Sequence, residues 1–165
     1  MNRIREAVPE DVTEIVELIV ELAVYEREPD AVKLTPERLY EQLFGAYPAI
    51  YADVATAPEG GGRRIDGFAL WFLNYSTWEG EHGIYLEDLY VRQEARGTGL
   101  GKQLLLHLAH IANTRGYKRV EWSVLKWNTP SIEFYRSLGA VAMDDWDTMR
   151  LAGDALMRFG SAARE

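Results

Sequence analysis

At 165 residues, of which 47% are hydrophobic and 12% aromatic, the chain has the length of one domain, 1–165, with a substantial core. A formal charge of −8 argues against nucleic acid as a partner, and the absence of cysteine excludes disulfides, thiolate metal sites and Cys nucleophiles. No apolar run approaches membrane-spanning length and Met1-Asn2-Arg3-Ile4-Arg5 leads into polar sequence, so a cytoplasmic protein without a membrane partner is expected.

Arg3 to Val8 alternates weakly and suits a short strand. Pro9-Glu10-Asp11 then opens a helix to about Tyr25, with Val12, Ile15, Val16, Ile19 and Leu22 at helical spacing. Thr35-Pro36-Glu37 starts a second helix, with Thr35 as N-cap, and Gly45 stops it after Phe44. Strand-like runs follow at Ala49–Thr56 and Ile65–Tyr75, joined by the loop Pro58 to Arg64, and their order implies antiparallel pairing. A third run, Ile84–Val91, leads through a glycine-rich turn into a helix from about Gly99 to Arg115, with Gly116 as its C′ residue. Arg119–Leu125 reads as a strand and Trp127-Asn128-Thr129-Pro130 as a loop. A helix then ends before Gly139, and two last strands are expected at Ala140–Met143 and Thr148–Leu151. His107 and His110 share a helix without an acidic partner at ligand spacing and read as ordinary helix residues; His82 lies in a turn, and no metal is expected.

The turn Arg96-Gly97-Thr98-Gly99-Leu100-Gly101-Lys102 carries most information, because a strand running into glycines and a helix N-terminus forms an anion cradle. Spacing narrows the guest. A Walker A loop needs glycine where Arg96 stands and Ser or Thr where Gln103 stands, and in a dinucleotide fingerprint the third glycine would come one residue later. Arg96, Gly99 and Gly101 instead match the Arg/Gln-x-x-Gly-x-Gly/Ala motif, and the segment resembles the GNAT family of acetyl-CoA-dependent N-acetyltransferases. The element order is similar to that family over essentially the whole chain. It implies an α/β GNAT fold: a mixed, mostly antiparallel central sheet of about seven strands, helices on both faces, and a splayed parallel pair at the cofactor cleft.

The resemblance also implies a site. In many family members the strand before the turn carries a β-bulge and parts from its parallel neighbour to admit acetyl-pantetheine. Backbone groups of Leu89, Tyr90 and Val91 would then hold the pantetheine arm, and Arg96, Gly97, Thr98, Gly99, Leu100, Gly101 and Lys102 the pyrophosphate of the cosubstrate acetyl-CoA. A second signature, Trp127-Asn128-Thr129-Pro130-Ser131-Ile132-Glu133-Phe134-Tyr135, resembles the family's next helix, where Asn128, Ser131 and Tyr135 would contact the cofactor and Tyr135 approach its sulfur.

Glu87 and Asp88 are adjacent acids inside an apolar strand, which alternation would send to opposite faces unless a bulge intervenes. Because a primary amine titrates at about 10.4, acetyl transfer to it requires loss of a proton. Glu87 is the candidate base, directly or through water, and Tyr135 the candidate acid for the departing thiolate.

Tyr85-Leu86-Glu87-Asp88, Leu22-Ala23-x-Tyr25-Glu26 and Tyr75-Ser76-Thr77-Trp78 together resemble the diamine (spermidine/spermine) and thialysine acetyltransferase group. Carried over, Tyr25, Glu26, Trp78, Glu87 and Asp88 would line the amine site, with Glu121, Trp122 and Ser123 across the cleft. The polyamine enzymes place an Asp where Ser76 stands, so a short diamine or lysine-like amine is favoured over spermine. The resemblance further implies a homodimer. Two other readings are a protein N-terminal or lysine acetyltransferase and a non-catalytic acyl-CoA-binding or sensing module.

Overall fold

A computed structural model describes residues 3–162. Its elements are β1 (Ile4–Glu6), α1 (Val12–Tyr25), α2 (Pro36–Phe44), β2 (Tyr51–Thr56), β3 (Ile65–Ser76), β4 (Glu81–Val91), α3 (Leu100–Arg115), β5 (Val120–Trp122), α4 (Thr129–Ser137) and α5 (Gly153–Ala162), with 3₁₀ turns at Pro9–Asp11 and Gln93–Ala95. Two compact units divide the chain, Met1–Ser123 and Val124–Glu165.

The first unit is one sheet in the order β1-β2-β3-β4-β5, antiparallel throughout except for the parallel β4–β5 pair. Buried Val12, Ile15, Val16 and Leu18 of α1 and Leu39 and Leu43 of α2 pack with Val54, Phe68, Leu70 and Tyr90, forming the core on one face. α3 covers the other face: a Cβ on Gly101 would lie 3.8 Å from Leu89 Cδ2, and His107 Nε2 is 3.0 Å from Asp53 Oδ1. Local signals fix the helix ends. Thr35 Oγ1 accepts from Arg38 N at 3.3 Å to start α2, and Arg27, at φ 68, closes α1 with Glu28 N donating to Ala23 O at 2.9 Å.

Asp11 joins β1 to α1. Its fully buried carboxylate accepts from Arg5 Nη1 (2.6 Å), Arg5 Nη2 (3.0 Å), Val8 N (2.9 Å) and Arg64 Nε (3.0 Å). Burial alone would raise its pKa, but these donors hold it below the ordinary value.

Two expectations are corrected. Among the described residues the sheet has five strands, not about seven: Ala140–Met143 and Thr148–Leu151 form none, and β5 covers only Val120–Trp122 of the expected Arg119–Leu125. A run of four residues becomes a strand only where a neighbour supplies ladder bonds, and Val141 and Met149, 82% and 89% exposed, have no such cover. The final helix α5, with Asp154 in its first turn, was not anticipated from the sequence.

Candidate active site

A bulge in β4 builds the site. Leu70 pairs with Asp88 and Trp71 with Leu86, so Glu87 is the extra residue that opposes nothing on β3. The side chains show its effect. Ile84 and Leu86, opposite Leu73 and Trp71, face α3 before the bulge, and Leu89 and Val91 face α3 after it, while Asp88 and Tyr90 join the α1 face. Glu87 is exposed and Asp88 half-buried. Burial pushes the Asp88 carboxyl up to about 6, helped by the charges of Glu87 and Glu26. Glu26, one residue past α1, is likewise raised by burial. Three of the expected amine-site acids, Glu26, Glu87 and Asp88, are thus brought within one electrostatic cluster, which suits an ammonium guest.

Past Val91 the chain makes the 3₁₀ turn and then the glycine loop. Gly97 and Gly99 take φ of 76° and 83°, a left-handed conformation that costs an L side chain roughly 1–2 kcal/mol. Nothing lies within 4 Å of a Cβ placed on Gly97, and the first helical amide to find a carbonyl is Gln103 N, on Gly99 O at 3.0 Å. Among the described residues, the amides of 97–102 therefore donate to no backbone carbonyl, which leaves a row of N–H groups at the positive end of α3. This donor set fits a pyrophosphate. Arg96 is used differently: Nε donates to Val91 O at 3.0 Å, and its guanidinium stands 5.0 Å from the Tyr25 ring and 5.1 Å from the Tyr90 ring. It ties the loop to the end of α1, next to Glu26.

β5 pairs with β4 only from Ile84↔Val120 to Leu86↔Trp122, so strand pairing on this side stops one residue before the bulge. Tyr85 Oη and Ser123 Oγ, 2.9 Å apart, span the two chains just there. Glu121 is held at one oxygen, Oε2, which accepts from Asn74 Nδ2 at 2.7 Å and ion-pairs with Arg119 Nε at 3.0 Å. Trp78 stands apart from the acids. It is 88% exposed in the β3–β4 turn beyond the Ser76↔Glu81 rung, six rungs or about 20 Å along the strand from Leu70↔Asp88. Ser76 ends β3 there, its Oγ accepting from Glu79 N at 3.2 Å.

The second unit holds the other signature. Asn128 N donates to Leu125 O at 2.8 Å, Asn128 O accepts from Ile132 N at 3.1 Å, and Pro130 occupies the first turn of α4, which carries Ser131 and Tyr135. The Phe134 and Tyr135 ring centroids are 5.3 Å apart.

One buried group escaped the sequence reading. Asp53, with both oxygens engaged by Trp71 Nε1 (2.8 Å) and His107 Nε2, makes His107 a partner in a polar network under α3, and burial raises the Asp53 pKa. An acid within the otherwise apolar β2 was the available signal.

A bulged strand bearing acids and a glycine loop with unpaired amides are the parts of an acyl-CoA enzyme, and similarity to known proteins agrees. Residues 23–140 match the family model described as Acetyltransferase (GNAT) family. A thialysine N-epsilon-acetyltransferase of Bos taurus is 38% identical over 160 residues, covering 93% of this chain and 94% of that protein. A spermidine/spermine N(1)-acetyltransferase-like protein 1 of Homo sapiens is 35% identical over 161 residues, 94% of this chain and 23% of that protein. An integron cassette protein from V. cholerae superposes with a TM-score of 0.79 at 25% identity, covering 97% of this chain and 98% of that one. No helix among the described residues is long and apolar enough to cross a membrane, nor do His, Asp and Glu side chains cluster as a metal site. On fold, loop and similarity alike, the chain belongs to the GNAT family of acetyltransferases.

Proposed function

We propose that this enzyme transfers the acetyl group of acetyl-CoA to a primary amine of a small cationic acceptor, a short diamine or a lysine-like amine. The observation that carries the reading is the bulge that sets Glu87 and Asp88 beside Glu26 immediately before the glycine loop. Asp88 and Glu26 hold the acceptor as its ammonium, and Glu87 takes one proton, directly or through water. The neutral nitrogen attacks the thioester carbonyl, forming the C–N bond; collapse breaks the C–S bond, Tyr135 protonates the departing thiolate, and the second nitrogen proton leaves to solvent as solvent restores the phenol. The amides of Gly97 to Lys102 hold the pyrophosphate. Beyond the Leu86↔Trp122 rung, Leu89, Tyr90 and Val91 pair with the pantetheine arm as β4 and β5 part. Asn128 and Ser131 complete the cofactor contacts, by resemblance.

The reading extends to a cytoplasmic homodimer with the amine site near the interface. The distance of Trp78 from its own acid cluster supports a role for that turn at the partner's site. The thialysine and spermidine/spermine acetyltransferase names among the relatives support the amine class. The test is release of coenzyme A thiol from acetyl-CoA with a panel of thialysine, lysine, short diamines, polyamines and peptides. Amine-dependent release with small cations supports the reading. Acetylation of peptides alone, or tight acetyl-CoA binding without turnover, overturns it.

A further inference from the structure

Toward the β3–β4 turn from Asp88, the same face of the sheet continues past Leu70, the last β3 residue of the core packed by α1 and α2. From Asp88 toward the β3–β4 turn, the residues on the same face are Tyr85 and Phe72, then Asn74, with Arg119 and Glu121 on neighbouring β5 or its entry. Tyr85 is held twice: its ring centroid is 5.1 Å from that of Phe72, and its hydroxyl bonds Ser123 across the end of the β4–β5 ladder. Behind this bar the charges do not favour a cation. Glu121 is already neutralised by Arg119 and hydrogen-bonded by Asn74. The packing there is tight, since a Cβ on Gly83 would meet Asn74 Oδ1 at 2.6 Å and Arg119 Cγ at 2.8 Å.

We propose that the Tyr85–Ser123 hydrogen bond, backed by the Arg119–Glu121–Asn74 cluster, closes the amine site toward the β3–β4 turn and selects short amines over long polycations. This rests on the amine-acetyltransferase reading and adds its length limit. An acceptor whose ammonium lies at Asp88 and whose tail runs along β4 meets the phenol two rungs on, about 7 Å away, and the guanidinium region four rungs on, about 13 Å away. A second ammonium arriving there meets the Arg119 guanidinium and a carboxylate already ion-paired to it. A short acceptor ends before that point. Neither Tyr85 nor Arg119 need touch the reacting atoms; they act as positioning and excluding residues.

Arg119→Gln removes the guanidinium charge and frees the Glu121 carboxylate; Tyr85→Phe removes the bar's hydrogen bond while keeping the ring on Phe72. Each is assayed by kcat/KM for 1,3-diaminopropane and for spermidine, with acetyl-CoA affinity and melting temperature as controls for folding. The expected result is a rise of about two- to fivefold in the spermidine to diaminopropane ratio in Arg119→Gln, the size of one exposed charge pair, and a smaller rise in Tyr85→Phe. A general structural role would lower both substrates together and leave the ratio fixed. An unchanged ratio in folded, cofactor-binding variants overturns the length limit while leaving acetyl transfer to amines standing. Failure of the unaltered enzyme to acetylate any amine overturns the parent reading, and this inference with it.

Discussion

Replacing Asp88 by Asn is expected to make the protein more stable and a worse enzyme at once. The Asp88 carboxyl titrates at about 6 instead of 3.8, because it is desolvated and faces Glu87 and Glu26. A displacement of roughly two units corresponds to about 3 kcal/mol against the folded state at neutral pH, and solvent reaching the half-buried group reduces this to about 1–2 kcal/mol. The sign follows from linkage. The folded pKa lies above the unfolded one, so the penalty is full above pH 6 and fades as falling pH protonates the folded carboxyl. Urea unfolding of wild type and Asp88→Asn at pH 7.5 and pH 4 reads it: the variant should be more stable at pH 7.5, with most of its advantage lost at pH 4. In the same variant, loss of one charge-assisted contact should raise KM for the amine by roughly tenfold or more. Equal or lower stability of the variant at pH 7.5, or a difference that does not change between the two pH values, would refute the electrostatic account of the cluster.

Tyr135→Phe should lower kcat by roughly 10²–10⁴-fold with little change in acetyl-CoA affinity; an unchanged kcat would remove the phenol from acid catalysis. Gly99→Ala forces a Cβ into φ 83, so roughly 1–2 kcal/mol should be lost from stability by denaturant titration, and the dissociation constant for acetyl-CoA should rise. Asp11→Ala should cost about 3–5 kcal/mol, because Arg5 and Arg64 lose a fully buried partner. Since the folded pKa of Asp11 is depressed, wild-type stability from this group is present above about pH 4 and lost on further acidification, and the variant should lack that segment of the acid-unfolding curve.

Much of this was legible in the residues because the signals are local. Thr35-Pro36, Gly45, Gly99 and Gly116 mark helix ends through capping chemistry that needs no partner, and the helices they bound are where expected. The adjacent acids Glu87-Asp88 in an apolar strand left a bulge or an exposed sheet face or edge open, and the family resemblance pointed to the bulge that β4 has. What failed depended on distant partners. Short runs after residue 139 have strand-like composition, but composition does not supply the neighbouring edge a strand needs. The contacts of Arg119 and Asn74 with Glu121, and the rungs separating Trp78 from Asp88, were beyond local reading for the same reason, being facts of register. The two rings beside the Arg96 guanidinium, contributed by α1 and β4, were likewise beyond local reading.

The extra residue at Glu87 also sets a phase for everything after it. Because Ile84 and Leu86 face α3 on one side of it and Leu89 and Val91 on the other, the insertion converts an even-numbered buried row into an odd-numbered one. Deleting that one residue would let the β3–β4 ladder run on without a bulge and leave Asp88, Leu89 and Val91 on their present faces, whereas pairing the full-length strand without the bulge would rotate Asp88 beneath α3 and turn Leu89 and Val91 away from it. The packing of α3 on β4 therefore does not need the added place, and the side chain that fills it is left open for chemistry.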